Sequence, residues 1–94
     1  MLILITYDVN TETSEGRKRL RQVAKACQDY GQRVQNSVFE CDADARQLLK
    51  IKNRLINIID QQKDSLRFYT IKDRSKVDHY GCKPSFDIND PLVL

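Results

Sequence analysis

An aspartate closes an apolar run near the start of the chain, Leu2-Ile3-Leu4-Ile5-Thr6-Tyr7-Asp8. A carboxylate at the end of a buried strand is costly unless it is paired or binds a cation. Its hard oxygens suit Mg2+, which takes one or two carboxylates and keeps several waters. A metal there could activate water and stabilise a phosphate under attack. Strand-end aspartates also cap turns, and one carboxylate per chain makes a poor metal site. Two carboxylates brought together across a dimer axis make a credible one. Asp8 is therefore the candidate catalytic and metal-binding residue.

The second feature is charge. Residues 16–26 (GRKRLRQVAKA) hold Arg17, Lys18, Arg19, Arg21 and Lys25 and no acid. That window is +5 within a chain of +3, so the remainder sums to −2. Lys/Arg-rich helix surfaces are often only solvated, but five cations without an acid also suit a polyanion, because each neutralised phosphate releases counterions. Arg33 adds a further cation close by. No zinc knuckle, recognition-helix signature or stacking aromatic pair accompanies them, which argues for contact with the nucleic-acid backbone rather than base reading.

The rest of the catalytic inventory is thin. Gly16, Gly31 and Gly81 are scattered and form no phosphate-cradling loop. His79 is the only histidine, and nothing in its spacing supports a Ser-His-Asp or Cys-His system. Cys27, Cys41 and Cys82 are too irregular for a zinc pattern. Cys27 falls on an apolar helix face and Cys41 ends a strand, so both read as buried thiols. Cys82 falls in a loop.

The elements that must position these groups follow from the hydrophobic pattern. Residues 2–8 read as a central strand buried on both faces. Ser14 and Gly31 bracket a helix over about 15–30, with Leu20, Val23, Ala24, Cys27 and Tyr30 as its core stripe. Residues 33–41 are strand-like, but Val34 and Val38 share one parity and Phe39 and Cys41 the other. A bulge, or a tight hairpin at Gln35-Asn36, explains the change of phase. Asp42 or Asp44 caps a second helix, roughly 44–61, with a stripe of Leu48, Ile51, Leu55, Ile58 and Ile59. Residues 64–71 form another strand, with Leu66 and Phe68 on one face and Arg67 and Tyr69 on the other. A weaker strand spans 76–80, and the C-terminal PLVL needs a surface to pack on.

The expected fold class is α+β, a ferredoxin-like β-α-β-β-α-β plan with an extra C-terminal strand. With 94 residues, 40% hydrophobic and 31% charged, the chain fits one folded domain over 1–94. At this size only about 60–65% of the unfolded surface can be buried. One sheet face lacks helical cover, and packing it against a second copy predicts a homodimer. No stretch reaches the ~18 apolar residues that span a bilayer, and MLILITYDV lacks the basic flank of a signal peptide. The expected location is the cytoplasm, with no membrane partner.

The segments LITYDV, RKRLRQVAKACQDYGQRVQNSVFEC, KDSLRFYTI and KPSFDINDPLVL resemble the CRISPR-associated adaptation protein two family, in its type I-C-like branch. The resemblance covers essentially the whole chain. It implies a ferredoxin-like homodimer with sheets packed face to face, and a tail (about 82–94) whose strand near Leu92–Leu94 pairs with the partner subunit. Asp8 matches the family aspartate that faces its twin across the axis and binds Mg2+, for which Mn2+ substitutes. Tyr7, Ser37 and Phe39 match supporting positions, and Arg17, Arg19 and Arg33 match basic ones. The implied functions are metal-dependent endonuclease action on double-stranded DNA or RNA, and spacer acquisition as a scaffold for the CRISPR integrase (adaptation protein one). The alternatives are a toxin-like ferredoxin-fold endoribonuclease and a small-molecule-sensing dimer of the same fold.

Overall fold

The computed structural model describes residues 1–72 together with Asp78 and Tyr80. Six elements follow one another: β1 (Leu2–Asp8), α1 (Ser14–Tyr30), β2 (Gln32–Gln35), β3 (Val38–Asp42), α2 (Ala45–Ile58) and β4 (Ser65–Ile71). The four strands form one antiparallel sheet in the order β2-β3-β1-β4. His79, Cys82, the tail from about 82 to 94 and, apart from Asp78 and Tyr80, the expected 76–80 strand lie outside the described residues.

β1 is central, with β3 on one side and β4 on the other, so its period of two decides what faces what. Ile3, Ile5 and Tyr7 point to the helical side and are buried with Val23, Ala26, Cys27, Phe39, Cys41, Ile51 and Leu55. Ile5 stands opposite Phe39 on one neighbour and Phe68 on the other, which continues the apolar face across three strands. Leu4, Thr6 and Asp8 have the other parity and share the helix-free face with Val38, Arg67 and Tyr69.

The helices are set by their caps. α1 is capped by Thr13, whose hydroxyl accepts from the Gly16 N–H, one residue earlier than the expected Ser14. Its buried residues are Gly16, Val23, Ala26 and Cys27, while Tyr30 is exposed and lies under the Arg54 guanidinium. The last turn has rotated off the sheet, so Ala26 holds a core position and Tyr30 does not. α2 opens on Asp44, which accepts from the Gln47 N–H at 2.8 Å while the Gln47 side chain accepts from the Asp44 N–H at 2.9 Å. It ends at Ile58 rather than near 61, and Ile58 and Ile59 still pack on the core.

The phase change in 33–41 has both of its proposed causes. Asn36 and Ser37 make the turn between β2 and β3, one residue later than expected, and the register shifts between Arg33 and Gln35. Cys27 and Cys41 are buried free thiols. Burial pushes their pKa values up to about 12 and about 11, so both are inert near neutral pH.

Gly31 ends α1 in extended backbone, so it is not there for a left-handed turn. A Cβ at this position would collide with the Glu40 carbonyl oxygen and come within 2.7 Å of the Cys41 Cβ. The helix end meets β3 too closely for any side chain. Gly31→Ala is accordingly expected to destabilise the chain by about 1–3 kcal/mol, as overpacking does. Urea unfolding of the variant checks this, and an unchanged midpoint would contradict it.

Candidate nucleic-acid and metal site

Asp8 stands at the end of β1, on the helix-free face, opposite Ser65 in the register with β4. It is exposed, and its carboxylate takes part in no ion pair or hydrogen bond among the described residues. It borders a shallow depression of about 270 Å³ with Thr6, Ser65, Arg67 and Tyr69.

Two contacts flank Asp8 and fix the strand end. On one side, Tyr7 is turned into the core: its hydroxyl donates to the Asn36 carbonyl at 3.2 Å, and its N–H donates to the Ser37 carbonyl at 3.1 Å. Its ring stacks on Phe39 with centroids 6.2 Å apart, and the Arg33 guanidinium lies 5.0 Å over the same Phe39 ring. Arg33 Nη1 also donates to the Asn36 carbonyl at 2.9 Å. Tyr7, Arg33, Ser37 and Phe39 thus converge on the β2–β3 hairpin, next to the backbone that carries Asp8.

On the other side stands Asp64, whose side chain is fully buried. Its oxygens accept from Arg19 Nε at 2.8 Å, Arg19 Nη2 at 3.3 Å, the Asp60 N–H at 2.9 Å and the Asn10 N–H at 3.0 Å. One carboxylate therefore ties the β1–α1 loop, α1 and the α2–β4 loop together. Burial pushes its pKa up, but the Arg19 hydrogen bonds and then the Asp60 and Asn10 N–H groups outweigh it, and the net shift is below the ordinary carboxylate value.

This reassigns Arg19. The sequence groups it with the nucleic-acid-binding cations, whereas its side chain is only 15% exposed and is committed to Asp64. The cation in the first turns of α1 meets an internal anion. Arg17, Lys18, Arg21 and Lys25 remain exposed along the outer face of α1, with Arg17 Nη1 donating to the Thr11 carbonyl at 3.2 Å. That surface faces away from the sheet, so the basic face and Asp8 lie on opposite layers of the molecule.

Asp64 and Asn10 carried no signal in the sequence as site residues. Asp64 opens the last strand segment and looks like an ordinary strand-start acid, and its ionic partner is 45 residues away. Only the folded topology joins them.

The described residues of one chain do not assemble a metal site by themselves. No group of three or more His, Cys, Asp or Glu side chains positioned to hold a metal occurs among the described residues. One unpartnered carboxylate fits Mg2+ only in company with waters, a substrate phosphate or a second carboxylate. Among the described residues no helix is long and apolar enough to cross a membrane.

The family model described as CRISPR associated protein Cas2 matches residues 1–78. The chain belongs to the Cas2 family. It is 59% identical to the CRISPR-associated endonuclease Cas2 of Halalkalibacterium halodurans, with all of both chains covered. It is 55% identical to the CRISPR-associated endoribonuclease Cas2 of Nitratidesulfovibrio vulgaris, covering all of this chain and 94% of that one. The crystal structure of Streptococcus pyogenes Cas2 superposes with a TM-score of 0.75 at 57% identity, covering 86% of this chain and 100% of that chain. The ferredoxin-like strand order is thus shared with a solved Cas2 structure.

The Asp64 contacts lead to a test of stability. Asp64→Asn removes the buried anion of the pair and leaves the partly exposed Arg19 guanidinium without its counter-charge, so the variant should be less stable than wild type at pH 7. The folded-state pKa of Asp64 is depressed, so its contribution is complete above the unfolded value of about 3.9 and is lost as pH falls through the folded value. Urea unfolding from pH 7 down to pH 3 should show the wild-type advantage shrinking only in the acid range. A difference between the two proteins that is constant over the whole range would contradict the ionic role.

Proposed function

We propose that the chain is a homodimeric CRISPR adaptation protein that binds duplex DNA across its basic α1 surface, serves as a scaffold for the CRISPR integrase, and hydrolyses phosphodiester bonds with Mg2+ at Asp8. The observation that carries the hydrolytic reading is Asp8 itself: an exposed, unpartnered carboxylate held rigidly at the end of the central strand. The names of the relatives, an endonuclease and endoribonucleases, support the same reaction class.

The dimer reading rests on the sheet face that no described helix covers. Leu4, Thr6, Val38 and Tyr69 stand on it beside Asp8, with no described helix over them. Packing that face on a second copy buries it and brings the two Asp8 carboxylates toward one ion. Bound there, Mg2+ supplies Lewis acidity and neutralises charge on the phosphate oxygens, while Mn2+ substitutes for it. The two Asp8 carboxylates would hold the ion, at strand ends whose neighbouring residues Tyr7 and Asn10 are anchored by hydrogen bonds. Water would add to phosphorus and give up a proton to solvent, the P–O bond to the leaving oxygen would break, and that oxygen would take a proton back from solvent.

The scaffold role has its own support. Arg17, Lys18, Arg21 and Lys25 face solvent on the layer opposite Asp8. A duplex lying on them is held through its phosphates, away from the hydrolytic carboxylate of the same chain. Binding and cleavage are therefore separable functions, on either RNA or double-stranded DNA.

Asp8→Ala should abolish Mg2+-dependent cleavage while leaving the fold and duplex binding unchanged, as measured by circular dichroism and a filter-binding isotherm. Cleavage at the wild-type rate would sink the hydrolytic reading. Replacing Arg17, Lys18 and Arg21 together by Ala should weaken duplex binding and flatten its salt dependence, by roughly 0.9 in the log–log slope for each phosphate contact removed. An unchanged slope would contradict the basic-surface reading.

A further inference from the structure

Arg67 stands on the same strand and the same face as Ser65, directly opposite Thr6. Ser65 in turn stands opposite Asp8, so Asp8 and Arg67 are diagonal neighbours across β1 and β4. Such positions lie about 7–8 Å apart, within reach of long side chains. Yet the two do not pair. The three ion pairs among the described residues use Met1 with Asp42, Arg19 with Asp64, and Arg54 with Asp29. Arg67 has one weak contact, from Nη1 to the Tyr69 hydroxyl at 3.4 Å.

The other arginines that make contacts among the described residues are occupied. Arg19 is on a carboxylate, Arg33 and Arg17 are on backbone carbonyls, and Arg54 is on Asp29 and the Tyr30 ring. Arg67 is exposed, and it lines the depression of about 270 Å³ that Asp8 also lines. An anion and a cation held apart across a polar depression leave room for a group that satisfies both. A phosphodiester beside a cation on Asp8 is such a group. The planar guanidinium presents parallel N–H donors that match two phosphate oxygens, and the Tyr69 and Ser65 hydroxyls line the same depression.

We infer that Arg67 is a phosphate-binding residue of the Asp8 site, gripping the non-bridging oxygens of the nucleic-acid phosphate whose bond is cut there. The inference rests on the phosphodiester hydrolysis proposed above. Charge grows on those oxygens as water adds to phosphorus, so a fixed guanidinium favours the transition state over the ground state.

The test uses the full-length chain labelled with 15N at arginine and titrated with inorganic phosphate, following the Nε–Hε resonances. A saturable shift of the Arg67 resonance is expected in both wild type and Asp8→Ala. In parallel, Arg67→Ala should slow Mg2+-dependent cleavage of a short duplex by about 100-fold, the effect of losing one transition-state donor. Arg67→Lys should retain more activity than Arg67→Ala. Free guanidinium ion should restore part of the activity of Arg67→Ala and none of that of Asp8→Ala. Light scattering should give the wild-type mass for each variant.

An Arg67 resonance that phosphate does not move overturns the inference, and so does wild-type cleavage by Arg67→Ala. A change in solution mass on Arg67→Ala, with no phosphate shift in wild type, makes Arg67 an interface residue and also overturns it. Failure of the underlying reading looks different. Asp8→Ala would then cleave like wild type while the Arg67 resonance still answers to phosphate, which leaves the phosphate site standing and removes hydrolysis at Asp8.

Discussion

The position of β1 in the middle of the sheet is the constraint on which the rest depends. With β3 and β4 on its two sides and both helices on one face, each side chain of β1 has only two destinations. Tyr7 goes into the core and Asp8 goes to the open face. A slip of one residue in pairing would exchange them and bury the carboxylate among Val23, Phe39 and Leu55, so the register is strongly specified. The Tyr7 contacts to the β2–β3 hairpin and the Asp64 contacts to Asn10 then pin the strand end from two directions. The candidate carboxylate is exposed, and hydrogen bonds anchor the residues on either side of it.

This layering sets the proposed binding and hydrolytic surfaces on opposite sides of a small, nearly neutral chain. The helical layer presents cations outward from α1, and the sheet presents an acid on the other side. A homodimer of the proposed kind doubles the net charge of +3 and presents two copies of the basic window, while joining two half-sites. The same interface would make the sheet face, which carries no helix among the described residues, the wall of a site.

Much of the fold was legible because periodicity is local. The central strand over 2–8, the stripe of Val23 and Cys27, and the capping of α2 by Asp44 are each written within a few residues, although the strand expected to be buried on both faces leaves Leu4 and Thr6 half-buried and Asp8 exposed. The phase break before Phe39 announced the hairpin and its bulge. What the sequence misplaced depends on rotation or distance. Tyr30 keeps helical spacing, yet the end of α1 turns it outward onto Arg54. Arg19 reads as one more surface cation because its partner lies 45 residues away. Gly31 reads correctly as the end of α1, but only the structure shows that it lets the helix approach the Glu40 carbonyl. Asp8 and the exposed cations were visible as residue types, and the membership of the Cas2 family was visible in the motifs around them. The Arg19–Asp64 pair needed the tertiary structure.

The most direct measurement is the number of Mn2+ ions bound per chain, titrated by electron paramagnetic resonance on protein whose mass in solution is fixed by light scattering. One ion per two chains, lost in Asp8→Ala while the dimer persists, is the expected result. One ion per chain, or binding that Asp8→Ala leaves unchanged, would contradict a metal site shared between two Asp8 carboxylates.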